Sequence, residues 1–421
     1  MSVPSLSERW PRPEESVGRE IQTRRIALLR SKKVWWASGP AMAVFDEDIQ
    51  PAIDSALRNV DACHYDIDLR LYMMGRKKES SRPIIFICCA DGTVRRDAEE
   101  CVRKSGILRK HPGFGLGASP LPLEGFSKVL SGHDVRPEAR GTSDGFDVFA
   151  QEEVPIVGRK LWARVDPNGP FLRRGTGGVV LVVDGQHYQI TAGHIRHDEP
   201  IANWDDLHFD GQSDDEESES ETSMVDIGST SEGSRTPQDI VEQRGSDSSP
   251  STLSEAATEE FGHSSQGEIP GRGGDASLKY AGTIRFSGEH LDYALVNIPE
   301  PEASVDLLNR FRYPTHSLPT PIRIRSVADI PNQEKPVVVI TASQGAIVAA
   351  LRPSFAYVRP AGSNRFQKTH IMEVAGEIAP GDSGSPVVDG SSGDLYGSMV
   401  RGCPGSRNAY VLSANTIFES I

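Results

Sequence analysis

The sequence predicts a multidomain chain: a small α+β segment, then an all-β region of short strands with an acidic stretch set into it. Three observations predict this. In the N-terminal third, apolar residues recur first at helical spacing and then at strand spacing. From about residue 154 onward the apolar runs are short, regularly spaced and separated by Pro, Gly and Asn, the pattern of a barrel or sandwich. Between 211 and 275, large apolar side chains all but vanish. The 421 residues are enough for two or three domains, at about 100–200 residues each.

Residues 14–33 are predicted to form a helix with a basic end, the favourable sense for the helix dipole. Ile49, Ile53, Ala56, Leu57 and Val60 recur at helical spacing and predict an amphipathic helix over 49–62. Tyr65, Ile67, Leu69, Leu71 and Met73 alternate with Asp66, Asp68 and Arg70, the pattern of a half-buried strand. After Pro83, the run 84–89 reads as a strand buried on both faces and closed by Asp91-Gly92. A helix follows, with Thr93 as N-cap, Val94, Ala98, Cys101 and Val102 on one face, and Gly106 past its end. Gly113, Gly115 and Gly117 follow a helix rather than a strand, miss the dinucleotide spacing, and are assigned to a loop. Cys88-Cys89 near His111 match no zinc spacing, and cysteine in a buried strand behaves as a small hydrophobe. The expectation for 1–130 is an α+β recognition or regulatory domain.

Residues 131–153, polar with glycine and charges, read as a linker to the second region, 154–421. The net charge is −14, but between 211 and 260 fourteen Asp or Glu stand against two Arg, a local −12. The rest is nearly neutral, which argues against a nucleic-acid-binding face. No apolar run of about 18 residues exists, so no membrane span is expected, and the polar N-terminus lacks an apolar signal core. Of five cysteines, Cys63, Cys88, Cys89 and Cys101 lie upstream and Cys403 in the second region. Such usage predicts a reduced, intracellular and cytoplasmic location. The Ser-, Glu- and Asp-rich segment 211–275 cannot bury enough surface to offset the entropy of ordering, and is expected to be disordered. Within it, Ser213-Asp214-Asp215-Glu216 has the serine-before-acid pattern acidophilic kinases prefer; a spacer role accounts for the composition equally.

Three stretches of the second region carry chemistry. Gly175-Thr176-Gly177-Gly178, the run 179–183 and Asp184-Gly185 read as strand and hairpin turn, leading into Tyr188-Gln189-Ile190-Thr191-Ala192-Gly193-His194. Leu291-Asp292-Tyr293-Ala294-Leu295-Val296 is an aspartate opening a short apolar strand. Gly381-Asp382-Ser383-Gly384-Ser385-Pro386 reads as a nucleophile loop. A serine hydroxyl needs a base within reach and donors for the oxyanion, and glycines let the backbone turn and aim N–H groups at one point.

These stretches resemble the chymotrypsin/trypsin-like serine peptidases, in an intracellular, disulfide-poor variety, over about 156–421. The order His194, Asp292, Ser383 separates them from subtilisin-like enzymes and α/β-hydrolases. Ile195 follows the histidine where many secreted relatives carry cysteine. Without 211–275 the His194–Asp292 separation falls from 98 to about 33, which suits a compact barrel. The resemblance implies two packed antiparallel barrels, a chymotrypsin-like double β-barrel, with the triad in the cleft between them. It implies Ser383 as nucleophile, His194 as general base and then acid, Asp292 as its orienting partner, and the N–H groups of Gly381 and Ser383 as oxyanion hole. No cofactor or metal is implied.

For the substrate pocket, Gly397-Ser398-Met399-Val400-Arg401-Gly402 resembles the pocket-wall strand whose backbone pairs with substrate. Val400 stands where a serine often supports the triad aspartate, and Arg401 where an aromatic is common. Glu377, six residues before Ser383, falls near the pocket base in such alignments, where it would favour Lys or Arg; in a rebuilt loop it faces solvent instead. Ile156-Val157-Gly158 resembles the new N-terminus of a cleaved zymogen, but after Pro155 it reads rather as a first barrel strand. Asp382 is then either unpaired from an N-terminus or held by another donor. The expected function is an intracellular serine endopeptidase acting on polypeptides, regulated by its N-terminal domain through a protein partner. The alternative is a catalytically silent, peptidase-like signalling or scaffold protein. Neither nucleic acid nor membrane is an expected partner.

Overall fold

A computed structural model of the chain describes residues 10–21, 32–60, 65–124, 128–129, 132–135, 146–150, 156–164, 171–195, 278–287, 291–299, 305–311, 321–361, 363–402 and 407–421. The acidic segment 211–275, Cys63 and Cys403 lie outside these residues.

The N-terminal part begins with a short helical turn at Pro13–Ser16 and β1 (Val17–Glu20), antiparallel to β2 (Lys33–Ala37). The helix expected from residue 14 is therefore a single helical turn to Ser16 and an extended strand from Val17, and 22–31 lie outside the described residues. A partner strand overrides local helical preference: Val17 faces Ala37, on a strand whose Trp35 and Trp36 are both buried. α1 (Gly39–Val44), a wider helical turn over Phe45–Ile49 and α2 (Gln50–Leu57) follow without a break. The predicted amphipathic helix thus starts earlier and ends at Leu57, with Phe45, Ile49, Ile53 and Leu57 packed in one core.

β3 (Ile67–Gly75) runs antiparallel to β2 and to β4 (Arg82–Cys88). It was expected to be half-buried, yet every residue of it is buried. Its polar face is roofed by paired charges: Arg70 Nη2 donates to Asp68 Oδ2 at 2.9 Å, and the guanidinium stacks 4.5 Å from the Tyr410 ring centre. α3 (Gly92–Ser105) is capped by Asp91 rather than Thr93, the Asp91 carboxylate accepting the N–H groups of Thr93 and Val94 at 2.8 Å each. With α4 (Ile107–Lys110) it leads to β5 (Gly115–Ser119), parallel to β4. Of the glycines assigned to a loop, Gly113 lies in a turn, while Gly115 and Gly117 belong to this strand, Gly117 against the Phe86 ring. β6 (Lys128–Val129) follows. Cys88, Cys89 and Cys101 carry free thiols, and burial pushes those of Cys88 and Cys89 up, the reverse of what a thiolate nucleophile needs.

The next sheet comprises β7 (Gly132–Val135), β8 (Phe146–Ala150), β9 (Lys160–Arg164), β10 (Phe171–Thr176), β11 (Val180–Val183), β12 (Gln186–Thr191), β13 (Lys279–Ser287) and β14 (Ala294–Asn297). Its strand order is β11-β12-β14-β13-β8-β9-β10-β7. Two strands therefore lie where a linker was expected: Val148 and Ala150 of β8 share a core with Leu161, Ala163 and Val296. Asp184 and Gly185, at φ 49° and 77°, make the tight turn predicted between β11 and β12. Ile156–Gly158, read as a first strand, is a bend and turn instead, and the strand begins at Lys160.

After α5 (Val305–Leu308) come β15 (Arg310–Phe311), β16 (Ile322–Arg323), β17 (Ser326–Val327), β18 (Lys335–Thr341), β19 (Gly345–Arg359), β20 (Gln367–Val374), β21 (Pro386–Val388), β22 (Asp394–Gly402), β23 (Asn408–Ser413) and α6 (Ala414–Glu419). The pairings β18-β21-β22-β23-β20-β19 return to β18 and close a six-stranded barrel. The second region was expected to hold only short strands, but β19 runs for 15 residues, with a register shift between Leu351 and Phe355. The far half of β19 pairs with β3, Tyr357 opposite Leu69, so the N-terminal strands extend the barrel's own sheet. Among the described residues, no helix is long and apolar enough to cross a membrane, and no group of three or more His, Cys, Asp or Glu is placed to hold a metal ion.

Candidate active site

Two strand ends deliver the histidine and the aspartate to the same place. β12 and β14 are hydrogen-bonded neighbours, Thr191 opposite Ala294, so His194 just after one strand meets Asp292 just before the other. His194 Nδ1 lies 2.8 Å from Asp292 Oδ2 and 2.9 Å from Oδ1, and the His194 backbone N–H donates to Oδ1 at 2.8 Å. Asp292 N–H donates to Gln367 Oε1 at 3.0 Å, tying the aspartate to β20. Burial alone pushes the Asp292 carboxyl up, but the charge and ring bond of His194, the charge of Arg401 and the His194 amide outweigh it and leave it below the usual carboxylate value.

The serine loop is gripped by Thr176 at the end of β10. Thr176 N–H donates to Ser383 O at 2.7 Å and its hydroxyl to Gly381 O at 2.8 Å, while Thr191 Oγ1 donates to Thr176 O at 2.9 Å. Gly384 shows why the loop needs glycine there: φ is +95°, and a Cβ would sit 2.2 Å from Thr176 O and 3.1 Å from Ala192 N. The loop therefore packs directly against the segment leading into His194. Ser383 Oγ donates to Val400 O at 3.1 Å, which places the hydroxyl beside β22. Asp382 is held by other donors than an N-terminus: Ser343 N–H at 3.0 Å, Ser343 Oγ at 2.7 Å and Ala379 N–H at 2.8 Å.

His194 thus pairs with Asp292, while Gly381 and Ser383 are held by Thr176 and Ser383 lies against Val400, the neighbour of Arg401. Glu377 is not among them: it is exposed, where solvent screens its charge, and only its backbone carbonyl is engaged, by Gln344 Nε2 at 3.0 Å. Arg401 is buried and points its charge at Asp66, with Nη1 2.5 Å from Oδ2. Thr176, Ser343, Gln367 and Asp66 support the site but were missed from the sequence. Only Thr176 had a signal, its place among three glycines that permit close approach; the others are single polar residues far along the chain.

No family model matches this chain, and no curated protein matches it. It is similar to several solved structures. One is a glutamic-acid-specific serine protease, at 12% identity and a TM-score of 0.32, covering 59% of this chain and 90% of that one. A second is protease A of Thermobifida fusca, at 13% identity and a TM-score of 0.32, covering 58% and 88%. A third is the Rv3671c protease of M. tuberculosis in its active form, at 12% identity and a TM-score of 0.30, covering 66% and 79%.

Proposed function

We propose that the chain is a serine endopeptidase, with Ser383 as nucleophile, His194 as general base and acid, and Asp292 as its orienting partner. What supports the reading is the buried His194–Asp292 pair, together with a glycine loop carrying Ser383 that packs against the segment leading into His194. A carboxylate accepting the Nδ1–H of an imidazole fixes the tautomer that leaves Nε2 free to take a proton. Ser383 Oγ attacks a peptide carbonyl carbon and passes its proton to His194 Nε2. The carbonyl oxygen becomes an oxyanion received by the N–H groups of Gly381 and Ser383. As the tetrahedral intermediate collapses, the C–N bond breaks and the amine leaves with the proton from His194. Water then attacks the acyl ester with His194 again as base, releasing the acid and restoring Ser383. In this reading residues 1–130 regulate the site, and the chain works inside the cell, which recovery in a cytosolic fraction would check.

The test is labelling of the full chain with a fluorophosphonate, which reacts only with an activated serine. Wild type should label and Ser383→Ala should not, with unchanged circular dichroism. Equal labelling of the two sinks the assignment.

A further inference from the structure

The edge of β22 nearest the serine is already occupied. Val400 accepts the Ser383 hydroxyl at 3.1 Å, so a peptide paired with the next residues of β22 lies alongside the nucleophile. β6 pairs there, antiparallel, with Val129 opposite Arg401 and Lys128 opposite Gly402.

We propose that β6 is a built-in peptide ligand of the cleft, holding the backbone positions that an incoming polypeptide would take and keeping the chain in a self-inhibited state. This rests on the peptidase reading. An exposed strand edge is a row of unpaired N–H and C=O groups that captures an extended peptide by main-chain bonds. A segment of the same chain fills that edge at an effective concentration on the order of millimolar, without needing strong contacts of its own.

Two further observations support the arrangement. The approach to β6 is anchored: the side chain of Glu124, four residues before Lys128, is buried, its Oε1 accepts the Tyr410 hydroxyl at 3.2 Å and lies 3.4 Å from Arg70 Nη1, and its Oε2 accepts the Tyr72 hydroxyl. Leu123 N–H adds a bond to the Tyr72 hydroxyl at 3.1 Å. Tyr410 belongs to β23, the neighbour of β22, so the anchor ties the segment to the strand pair that forms the cleft wall. Secondly, the reacting groups are covered in this state, with Ser383 at 0% and His194 at 8% exposure.

The inference is tested on the full chain with Val129→Pro, which removes a backbone donor from β6, and Val129→Ala, which keeps it. Hydrogen exchange of the 400–402 amides is followed in a Ser383→Ala background, and fluorophosphonate labelling with Ser383 intact. Val129→Pro should raise both exchange and labelling rate by at least about tenfold, as expected when a site is released from a mostly closed population; Val129→Ala should change neither. Unchanged exchange with Val129→Pro overturns the inference, whatever the labelling does. Raised exchange with unchanged, measurable labelling also overturns it, since the strand would then not inhibit. Raised exchange with no labelling in any variant leaves the strand in place and overturns the peptidase reading instead. The unmodified chain gives an arm that needs no variant: exchange of these amides at the rate of an open edge overturns the inference.

Discussion

The Arg401 guanidinium, buried on β22 one residue past Val400, donates from Nη1 to Asp66 Oδ2 at 2.5 Å across 335 residues of sequence. Asp66 also accepts the Ala361 N–H at 2.8 Å, so one N-terminal carboxylate holds both β22 and the chain just after β19. Burial pushes the Arg401 pKa down, and the charges of Asp66, Asp68 and Asp292 more than reverse it. The same arginine helps hold Asp292 ionised.

Asp66→Asn should therefore destabilise the chain, because it leaves a buried cation facing a neutral amide. The cost is about 1–2 kcal/mol, less than for a fully buried pair because solvent screens the partly exposed carboxylate. Urea denaturation of the two proteins measures it, and coincident curves would mean the pair adds nothing.

Asp292→Asn should lower turnover by about 10⁴-fold with the fold retained, since a carboxamide can offer an N–H to His194 Nδ1 and so favour the wrong tautomer. The Asp292 carboxyl lies below its ordinary value of 3.8 in the folded chain. Its contribution to stability is thus fully present above that value and is lost only as the pH falls through the lower, folded one. Acid titration of wild type and Asp292→Asn should separate them above, not below, that fall.

His370 on β20 gives a second pH dependence at a different place. Burial first, then the Lys368 charge, pushes its pKa down to about 4 from 6.5. Its Nδ1 is buried without a hydrogen-bond partner among the described residues, and its ring meets Phe355 edge-on at 5.9 Å. The unfolded chain then binds the proton more readily between these two values, so stability should fall as the pH drops from about 6.5 to about 4, by up to about 3 kcal/mol. His370→Phe should flatten that slope in melts taken across the window. An unchanged slope would show that other groups produce it.

Ser343→Ala removes one of three donors to the Asp382 carboxylate beside the nucleophile. A hydrogen bond to a charged group contributes about 1.5–3 kcal/mol, and the loop carrying Ser383 should lose part of its fixed geometry with it. Slower fluorophosphonate labelling together with a lower melting temperature is the expected result; a change in neither would mean the other two donors suffice.

The sequence by itself determined the local pieces. The spacing of Ile49, Ile53 and Leu57, the turn at Asp184-Gly185, the strands around 180–191, and the three motif segments were legible because each depends on neighbours a few residues away. So was the local setting of His194, Asp292 and Ser383, since each sits at a strand end or glycine turn. The tertiary structure decided what depends on partners from elsewhere in the chain. Residues 17–20 are a strand because Trp35 and Trp36 offer an edge, and β3 is buried on both faces because Arg70 finds Asp68 and Tyr410. The same holds for residues 128–129, which are too short to announce a strand and become one only by pairing with Arg401 and Gly402. Strand pairing and burial of charge draw on contacts between residues up to hundreds of positions apart, and no local pattern encodes which edge a strand will find.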